Sequence, residues 1–331
     1  MLARATNPSI DVKALARMLR TNRGLVAKAD ISSVARRLGF AGQSLAAVGD
    51  DCAAIKDGGG HLLFAIEGFM NEFVAGDPWF AGWCGVMVNI SDVAAMGGRP
   101  VAIVDALWAD GETNASTILD GLRAASEAYG VPIVGGHSNL RTESAQLSVA
   151  ILGRAGRLLT SFDARPGDRL VAAIDLRGRY REPFSNWEAA TDAPPARLRA
   201  DLELLPRIAE SGLSCAAKDI SQGGLVGTAA MLAECSGVGI AIDIGAVPKP
   251  DEIAIDRWLS TFPSYGYLLA VRPENVAAVM RLFAGRDIAA ADIGAVHPGR
   301  TVSIRHGDDR ETVWDLAAKP LLGCGPGERA A

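Results

Sequence analysis

Acidic residues stand at the ends or edges of apolar stretches at several points in this 331-residue sequence. A buried carboxylate without a cation is energetically costly, so each of these residues needs a partner. Several carboxylates that converge without matching cations are typical of a divalent-metal site, and Mg²⁺ prefers carboxylate oxygens together with phosphate oxygens. The candidate metal ligands are Asp50, Asp51, Glu67, Asp92 and Asp219.

Asp92 is the most unusual of these acids, because it lies within VMVNISDVAAMGGRP (86–100), a mostly small and apolar stretch. Helical spacing places Asn89 and Asp92 side by side, since they are three residues apart. An N-cap or a salt bridge to a buried arginine would also explain Asp92 taken alone. The metal interpretation depends on the other four acids being close to it in the fold.

Two glycine pairs at predicted strand ends could bind phosphate. One pair follows Asp219 and leads into a predicted helix, and the other closes the strand predicted over residues 131–136. Backbone N–H groups in such turns, together with the positive end of a helix, favour a phosphate group. The predicted phosphate-binding glycines are Gly135, Gly136, Gly223 and Gly224.

Two basic residues are candidates for catalysis. Lys28 could contact a phosphate as a point charge, and His137 could act as a general base. Each also has a plainer interpretation, Lys28 as a solvent-exposed side chain and His137 as a structural or phosphate-contacting residue. The sequence contains no GxxxxGK[ST], HExxH or GxSxG motif and no GxGxxG after a first strand, which excludes the enzyme classes that those motifs define.

The composition predicts a globular protein of about two domains, with a net charge of −5 and 49% hydrophobic residues. This acidic balance predicts no nucleic-acid partner, and no apolar run has the length of a membrane span. The first 13 residues lack the apolar block of a signal peptide, and the five cysteines include no CxxC pair. We therefore expect a cytoplasmic protein in a reducing compartment.

Hydrophobic periodicity predicts a mixture of helices and strands in both halves, which favours two α+β domains over one doubly wound sheet. The helices are predicted over residues 12–19, 31–38, 78–96, 115–129, 196–211, 224–235 and 274–284. The strands are predicted over residues 52–56, 62–67, 101–107, 131–136, 146–153, 169–174, 215–219, 238–243, 290–296 and 301–305. Residues 177–195 are predicted to form a long loop, whose arginines contact either an anionic acceptor or solvent.

Four motifs occur in a characteristic order: GDDCA (49–53), NISDVAAMGGRP (89–100), GGHS (135–138) and DISQGGL (219–225). Together they resemble the AIR synthase (PurM)-like superfamily, which includes thiamine-monophosphate kinase, selenophosphate synthetase and HypE. The likeness covers residues 28–305. The branch that looks most similar is the AIR-synthase-related branch of methanogenesis marker protein 2.

The resemblance implies a two-domain, α+β PurM-like fold in a homodimer. Residues 1–45 would form an N-terminal helical arm, and residues 46–160 would form the N-terminal domain that binds metal and ATP. In such proteins the N-terminal sheets of two subunits join into a shared barrel. Residues 161–331 would form the C-terminal domain, an α/β sandwich.

The resemblance also implies Mg²⁺ and ATP as cofactors, a small-molecule acceptor as partner, and phosphoryl transfer to a carbonyl, amide or phosphate oxygen. Asp50 and Asp51 match the acids of the GDD motif, and Asp92 matches the acid of the N-x-SD motif. Asn89 would be the polar companion of Asp92 at the nucleotide. Asp219 matches the acid of the DxSxGGL turn. The glycine turn near nucleotide and substrate would be formed by Gly135, Gly136 and His137.

Two departures leave the activity open. Glu67 stands where the superfamily usually has Asp, and the second motif reads SQG (221–223) where thiamine-monophosphate kinases have SDG. The alternatives are a thiamine-monophosphate kinase-like activity, or a non-catalytic ATP-binding dimer in a maturation or sensing complex.

Overall fold

The computed structural model describes residues 10–38 and 48–326, apart from the side chain of Arg36. The domain boundary expected after residue 45 lies outside the described residues, as does most of the N-terminal segment MLARATNPSIDVK. The helices are α1 (Val12–Arg20), α2 (Arg23–Ala27), α3 (Ala29–Leu38), α4 (Asn71–Gly76), α5 (Pro78–Ala95), α6 (Gly111–Tyr129), α7 (Pro195–Leu202), α8 (Leu204–Glu210), α9 (Gly224–Ser236), α10 (Ile255–Leu259) and α11 (Val276–Ala284).

The strands are β1 (Ala53–Asp57), β2 (Gly60–Gly68), β3 (Arg99–Asp110), β4 (Ile133–Asn139), β5 (Arg141–Ala155), β6 (Arg169–Ile174), β7 (Arg179–Tyr180), β8 (Asn186–Glu188), β9 (Ala216–Asp219), β10 (Gly239–Asp243), β11 (Phe262–Pro263), β12 (Gly266–Val271), β13 (Ala289–His297), β14 (Thr301–His306) and β15 (Asp309–Asp315). No helix in the described part of the chain is both long and apolar enough to cross a membrane.

Helix α5 begins and ends as the sequence predicts. The Asp77 side chain caps its first turn by accepting from the Phe80 N–H at 3.2 Å, and Pro78 occupies the first helical position. Gly97 follows the helix with φ of +73°, a conformation that L side chains rarely adopt. Most of the side chains between these ends are buried, so α5 is a core helix.

Five strands form the first sheet, in the order β1-β2-β5-β3-β4, with β3 and β4 parallel. One face packs against α5 and α6. These two helices approach each other closely at Gly82, where a Cβ would lie 2.1 Å from the Ile118 carbonyl oxygen. Side chains of a strand alternate between the two faces of its sheet, and the face opposite the helices carries exposed apolar side chains in the single chain. The exposed set on β2, β3 and β4 is Phe64, Ile66, Val101, Val104 and Val134.

Seven strands form the second sheet, in the order β15-β14-β10-β13-β6-β12-β9. Strand β12 is buried along its whole length, and α9 belongs to one apolar cluster while α8 and α11 belong to another. Helix α1 of the N-terminal arm contacts β14 and β15. Strand β9 lies at one edge of this sheet and ends at Asp219.

The predicted glycine turn after residue 136 is wrong. Strand β4 continues through Gly135, Gly136 and His137 as far as Asn139. A Cβ on Gly136 would lie 2.5 Å from a carboxylate oxygen of Asp105 on β3, so the glycine permits close strand pairing rather than a turn.

The long loop predicted over residues 177–195 contains two short strands. Strands β7 and β8 form a three-stranded sheet with β11. Each of the loop's arginines makes an intramolecular ion pair, so their positive charge is already matched within the chain. The pairs are Arg177–Asp175 at 2.8 Å, Arg179–Asp192 at 2.7 Å and Arg181–Asp77 at 2.8 Å.

The remaining differences are short elements. The helix predicted over 196–211 is divided into α7 and α8, and α2, α4, α10 and β15 were not predicted. Each missed helix is five or six residues long, which is too short to show a helical period. Strand β12 is absent from the strands that periodicity predicted, because its apolar run has no alternation.

Candidate metal and nucleotide site

Three of the predicted acids meet in the fold. Asp51 precedes β1, Asp92 lies in α5, and Asp219 ends β9. One carboxylate oxygen from each lies within 4.8 Å of the other two. Elements from both large sheets therefore build one group of three carboxylates.

This group lines a cavity of about 350 Å³, which we call the acidic cavity. All five predicted metal ligands contribute to its wall, and Lys28 lies on the same wall from the N-terminal arm. Ser221 and Gln222, in the turn before α9, also line it. The charged residues that define the acidic cavity are Lys28, Asp50, Asp51, Glu67, Asp92, Lys218 and Asp219.

Two carboxylates of the acidic cavity, those of Asp92 and Asp219, are poorly compensated by the protein. Asp92 Oδ2 is buried without a hydrogen-bond partner among the described residues. Burial, and then the neighbouring Asp219, raise the pKa of Asp92 well above its ordinary value. Burial, and then Asp51, raise the pKa of Asp219 to about 8. Oxygen ligands with unmatched negative charge are what a hard divalent cation such as Mg²⁺ requires, so these residues fit a magnesium site.

Asp50 lies in the same cavity but is held by protein donors. Its carboxylate accepts from the Ser161 backbone N–H at 3.1 Å and from Ser161 Oγ at 2.7 Å, and one of its oxygens also accepts from the Asp51 N–H. Burial raises the pKa of Asp50 to about 6, and Lys218 opposes that rise. Asp50 is not part of the three-carboxylate group.

Lys218 is a site residue for which the sequence analysis gave no role. Its side chain is 5% exposed, and Nζ donates to Asp51 Oδ1. Burial acts to lower the pKa of Lys218, but Asp51 and Asp50 raise it above its ordinary value. The available signal was a lysine inside AAKDI (216–220), an otherwise apolar stretch, since a buried lysine needs a carboxylate partner.

Two distant segments of the chain close the acidic cavity. In the N-terminal arm, Gly24 contacts the turn before α9 so closely that a Cβ would lie 1.9 Å from the Gln222 carbonyl oxygen. The buried Glu234 carboxylate accepts three backbone N–H groups near the C-terminal end of the described chain, at 2.7–2.8 Å. These bonds fix the segment that contains Leu322, which lines the cavity. The N–H donors are those of Leu321, Leu322 and Gly323.

The other predicted nucleotide contacts are placed differently. Asn89 is fully buried, and its Nδ2 donates to the Gly85 carbonyl oxygen at 2.8 Å. Gly223 and Gly224 are buried where α9 begins, and a Cβ on Gly224 would lie 2.2 Å from the Leu259 carbonyl oxygen. Gly135, Gly136 and His137 are exposed on β4 and are not among the residues that line the acidic cavity.

A second cavity, of about 370 Å³, adjoins the first, and we call it the aromatic cavity. Phe69, Met70, Val88, Gln222 and Phe262 line both cavities. The aromatic cavity has no carboxylate among the described residues that line it, and its polar side chains are mostly amides and hydroxyls. Its defining residues are Asn22, Arg23, Phe69, Phe73, Phe184, Asn186, Gln222 and Phe262.

The fold and the site define a two-domain α/β protein whose carboxylate group draws on elements of both large sheets. Family models agree with this class over most of the chain. The model of the AIR synthase related protein, N-terminal domain, matches residues 49–155, and that of the C-terminal domain matches residues 177–307. The chain belongs to the AIR synthase related family, within the PurM-like superfamily.

Three related proteins match between 77% and 92% of this chain. An uncharacterized protein of Synechocystis sp. is 44% identical over 311 residues, which cover 92% of this chain and 96% of that protein. The thiamine-monophosphate kinase of Halobacterium salinarum is 30% identical over 273 residues, which cover 77% of this chain and 92% of that kinase. The PurL subunit of Methanosarcina barkeri is 26% identical, and the match covers 84% of this chain but 42% of that subunit.

Solved structures share the fold. AaThiL complexed with AMPPCP and TMP matches with a TM-score of 0.65 at 23% identity, over 93% of this chain and all of that chain. T. maritima PurL complexed with ATP matches with a TM-score of 0.72 at 20% identity, over 93% of this chain and 55% of that chain. This chain therefore corresponds to about half of PurL.

Proposed function

We propose that this protein is a Mg²⁺·ATP-dependent enzyme that transfers a phosphoryl group to an oxygen of a small acceptor. The observation that carries the proposal is the convergence of Asp51, Asp92 and Asp219 within 4.8 Å, with one oxygen of Asp92 buried and unpartnered among the described residues. The similarity to thiamine-monophosphate kinases, and to a fold solved with ATP in PurL, supports the choice of nucleotide.

Asp51, Asp92 and Asp219 would hold Mg²⁺, which neutralises charge on the phosphate oxygens when bound. Glu67 and Asp50 line the same cavity. The hydrogen bond from Ser161 Oγ to Asp50 would hold the turn that carries Asp51 in place.

Lys28 would orient the transferred phosphate from the N-terminal arm, since its side chain lies on the wall of the acidic cavity. Ser221 and Gln222, in the turn before α9, would offer polar groups to the nucleotide, since both line the acidic cavity.

The acceptor would bind in the aromatic cavity, because the two cavities share a wall and the reacting oxygen must reach the phosphate. Four half-buried phenylalanines favour a planar ring, and Asn22, Asn186 and Gln222 favour hydrogen-bonding groups on that ring. Arg23 is the one charged residue among the described residues that line the cavity, so we infer an acceptor whose ring carries no positive charge.

A thiamine-monophosphate kinase-like activity is the second candidate. The observation in its favour is the 30% identity to the Halobacterium salinarum kinase over most of both chains. The cationic ring of thiamine would meet no carboxylate among the described residues of the aromatic cavity, although phenylalanine faces can attract cations. Because of this identity, thiamine monophosphate is the first acceptor to be tested, and the charge of its ring makes the result informative.

A homodimer is also part of the proposal. The apolar residues on the open face of the first sheet, among them Ile66 at 66% and Val134 at 64% exposed, form a patch that a second copy could cover. Light scattering should give twice the mass of one chain, and Ile66→Glu should give the monomer mass. A wild-type monomer would contradict the homodimer.

Thermal unfolding with and without Mg²⁺·ATP tests the metal and nucleotide site. At about 100 times its Kd, the ligand should stabilise the wild type by about 2.7 kcal/mol. Asp92→Asn should lose this stabilisation while remaining at least as stable as the wild type without ligand, because a buried, unpaired carboxylate is removed. Asp120→Asn, an exposed site on α6, is the matched control and should behave as wild type.

An equal Mg²⁺·ATP effect in Asp92→Asn would contradict the metal placement, and no effect in the folded wild type would contradict ATP binding. Release of ADP is then measured with thiamine monophosphate and with uncharged ring acceptors. Stabilisation by Mg²⁺·ATP without turnover on any acceptor would support the non-catalytic ATP-binding alternative.

A further inference from the structure

We propose that the Lys218 ammonium group is a permanent cation of the acidic cavity, occupying the position where a second divalent ion would otherwise bind to Asp51. This inference rests on the proposed metal site but goes beyond it, because it assigns a role to a residue outside the carboxylate group. It predicts that the protein without nucleotide holds a single divalent ion.

The geometry divides the Asp51 carboxylate between two neighbours. Oδ1 accepts from Lys218 Nζ, whereas Oδ2 accepts from the Asp219 backbone N–H at 3.3 Å. The three-carboxylate group also includes one oxygen of Asp51. Lys218 therefore holds Oδ1 of the carboxylate, and a metal bound to Asp92 and Asp219 would use the oxygen that Lys218 does not hold.

The surroundings of Lys218 prevent its side chain from leaving this position easily. The Lys218 and Asp51 side chains are each 5% exposed, and Nζ lies 3.4 Å from Ser161 Oγ. Ser161 in turn donates to Asp50, so the ammonium group, Ser161 and two carboxylates form one connected network. A buried ion pair of this kind is costly to break, because the remaining charge has no other partner.

The charges of the cavity explain why a fixed cation is useful. Among the described residues that line the acidic cavity, five carry carboxylates and two are lysines. Lys28 is half-buried on the short helical arm, whereas Lys218 is enclosed on the edge strand β9. A cation that never dissociates keeps Asp51 oriented for the metal, which makes Lys218 a positioning residue.

The test counts bound Mn²⁺ in the absence of nucleotide, by titration with electron paramagnetic resonance detection of the free ion. Wild type should bind one Mn²⁺ per chain, and Lys218→Met should bind two, because the Asp51 oxygen that Lys218 occupied becomes available. Lys218→Arg keeps the charge and should bind one. Lys56→Met, on the exposed part of β1, is the matched control and should also bind one.

A count of one in folded Lys218→Met, with unchanged affinity, would overturn the inference and leave the proposed function intact. A wild type that binds no Mn²⁺ would instead overturn the proposed metal site itself. If Lys218→Met does not fold, Lys218→Met/Asp51→Asn removes both charges of the pair. That variant should bind one ion or none, and a count of two would also overturn the inference.

Discussion

The acidic and aromatic cavities share a wall but are built in opposite ways. The acidic cavity collects carboxylates from a turn, a core helix and an edge strand, and burial raises the pKa of Asp50, Glu67, Asp92 and Asp219. The aromatic cavity is formed by half-buried phenylalanines and neutral amides. The first arrangement suits a metal and phosphate, and the second suits recognition of a ring.

The difference also concerns stability. Carboxylates that are buried close together repel one another, so the acidic cavity destabilises the protein until a cation binds. The phenylalanines favour folding through their own contacts, such as the edge-to-face pair of Phe73 and Phe184 with centroids 4.8 Å apart. Changes in the two cavities should therefore have effects that can be separated by experiment.

The largest expected effect is a separation of nucleotide binding from ring binding. Asp219→Asn should lose the Mg²⁺·ATP stabilisation of about 2.7 kcal/mol, whereas Phe184→Ala should keep it at a cost in stability of about 1 kcal/mol. Nicotinamide, a neutral planar probe, should show a saturation-transfer NMR signal with the wild type and Asp219→Asn. With Phe184→Ala that signal should fall, because one wall of the aromatic cavity is lost.

The positively charged analogue 1-methylnicotinamide is the control for ring charge, and it should give a weaker signal than nicotinamide with the wild type. Equal signals from the two probes would contradict the inference about acceptor charge. Loss of the Mg²⁺·ATP effect in folded Phe184→Ala would show that the two cavities do not act separately.

A smaller effect is expected in the pH dependence of stability without divalent cations. Asp219 has a folded-state pKa of about 8, above its ordinary value of 3.8, so the folded state binds a proton there that the unfolded state has lost. Its contribution to stability is therefore present below about pH 4 and is lost as the pH rises toward 8. The slope from this group is at most about 1.4 kcal/mol per pH unit.

Urea unfolding in EDTA between pH 5 and 8 measures this slope. The difference between wild type and Asp219→Asn should grow with pH in favour of the variant. Phe184→Ala should shift the whole curve without changing its shape, since the aromatic cavity has no carboxylate among its described lining residues. Parallel curves for wild type and Asp219→Asn would contradict the assigned pKa.

Much of the site was predictable because local sequence determines it. The Asp77-Pro78 start and the Gly97 end of α5 fix which residues are helical, and therefore that Asp92 is a carboxylate inside an apolar helix. The order of the four motifs identified the family, which the family models confirm. The predicted metal ligands all line one cavity, although their roles stay predictions.

The tertiary structure decided what depends on contacts between distant residues. No local pattern shows that Lys218 pairs with Asp51 or that Ser161 holds Asp50, because these partners are more than 100 residues apart. The same is true of Gly136, whose close approach to Asp105 makes it part of a strand. The aromatic cavity could not be predicted from the sequence either, since it is lined by four separate segments of the chain, which contain Asn22, Phe73, Phe184 and Phe262. The sequence by itself determined the helix ends, the acids and the family, whereas long-range packing decided which acids lie together and which cavity lies beside them.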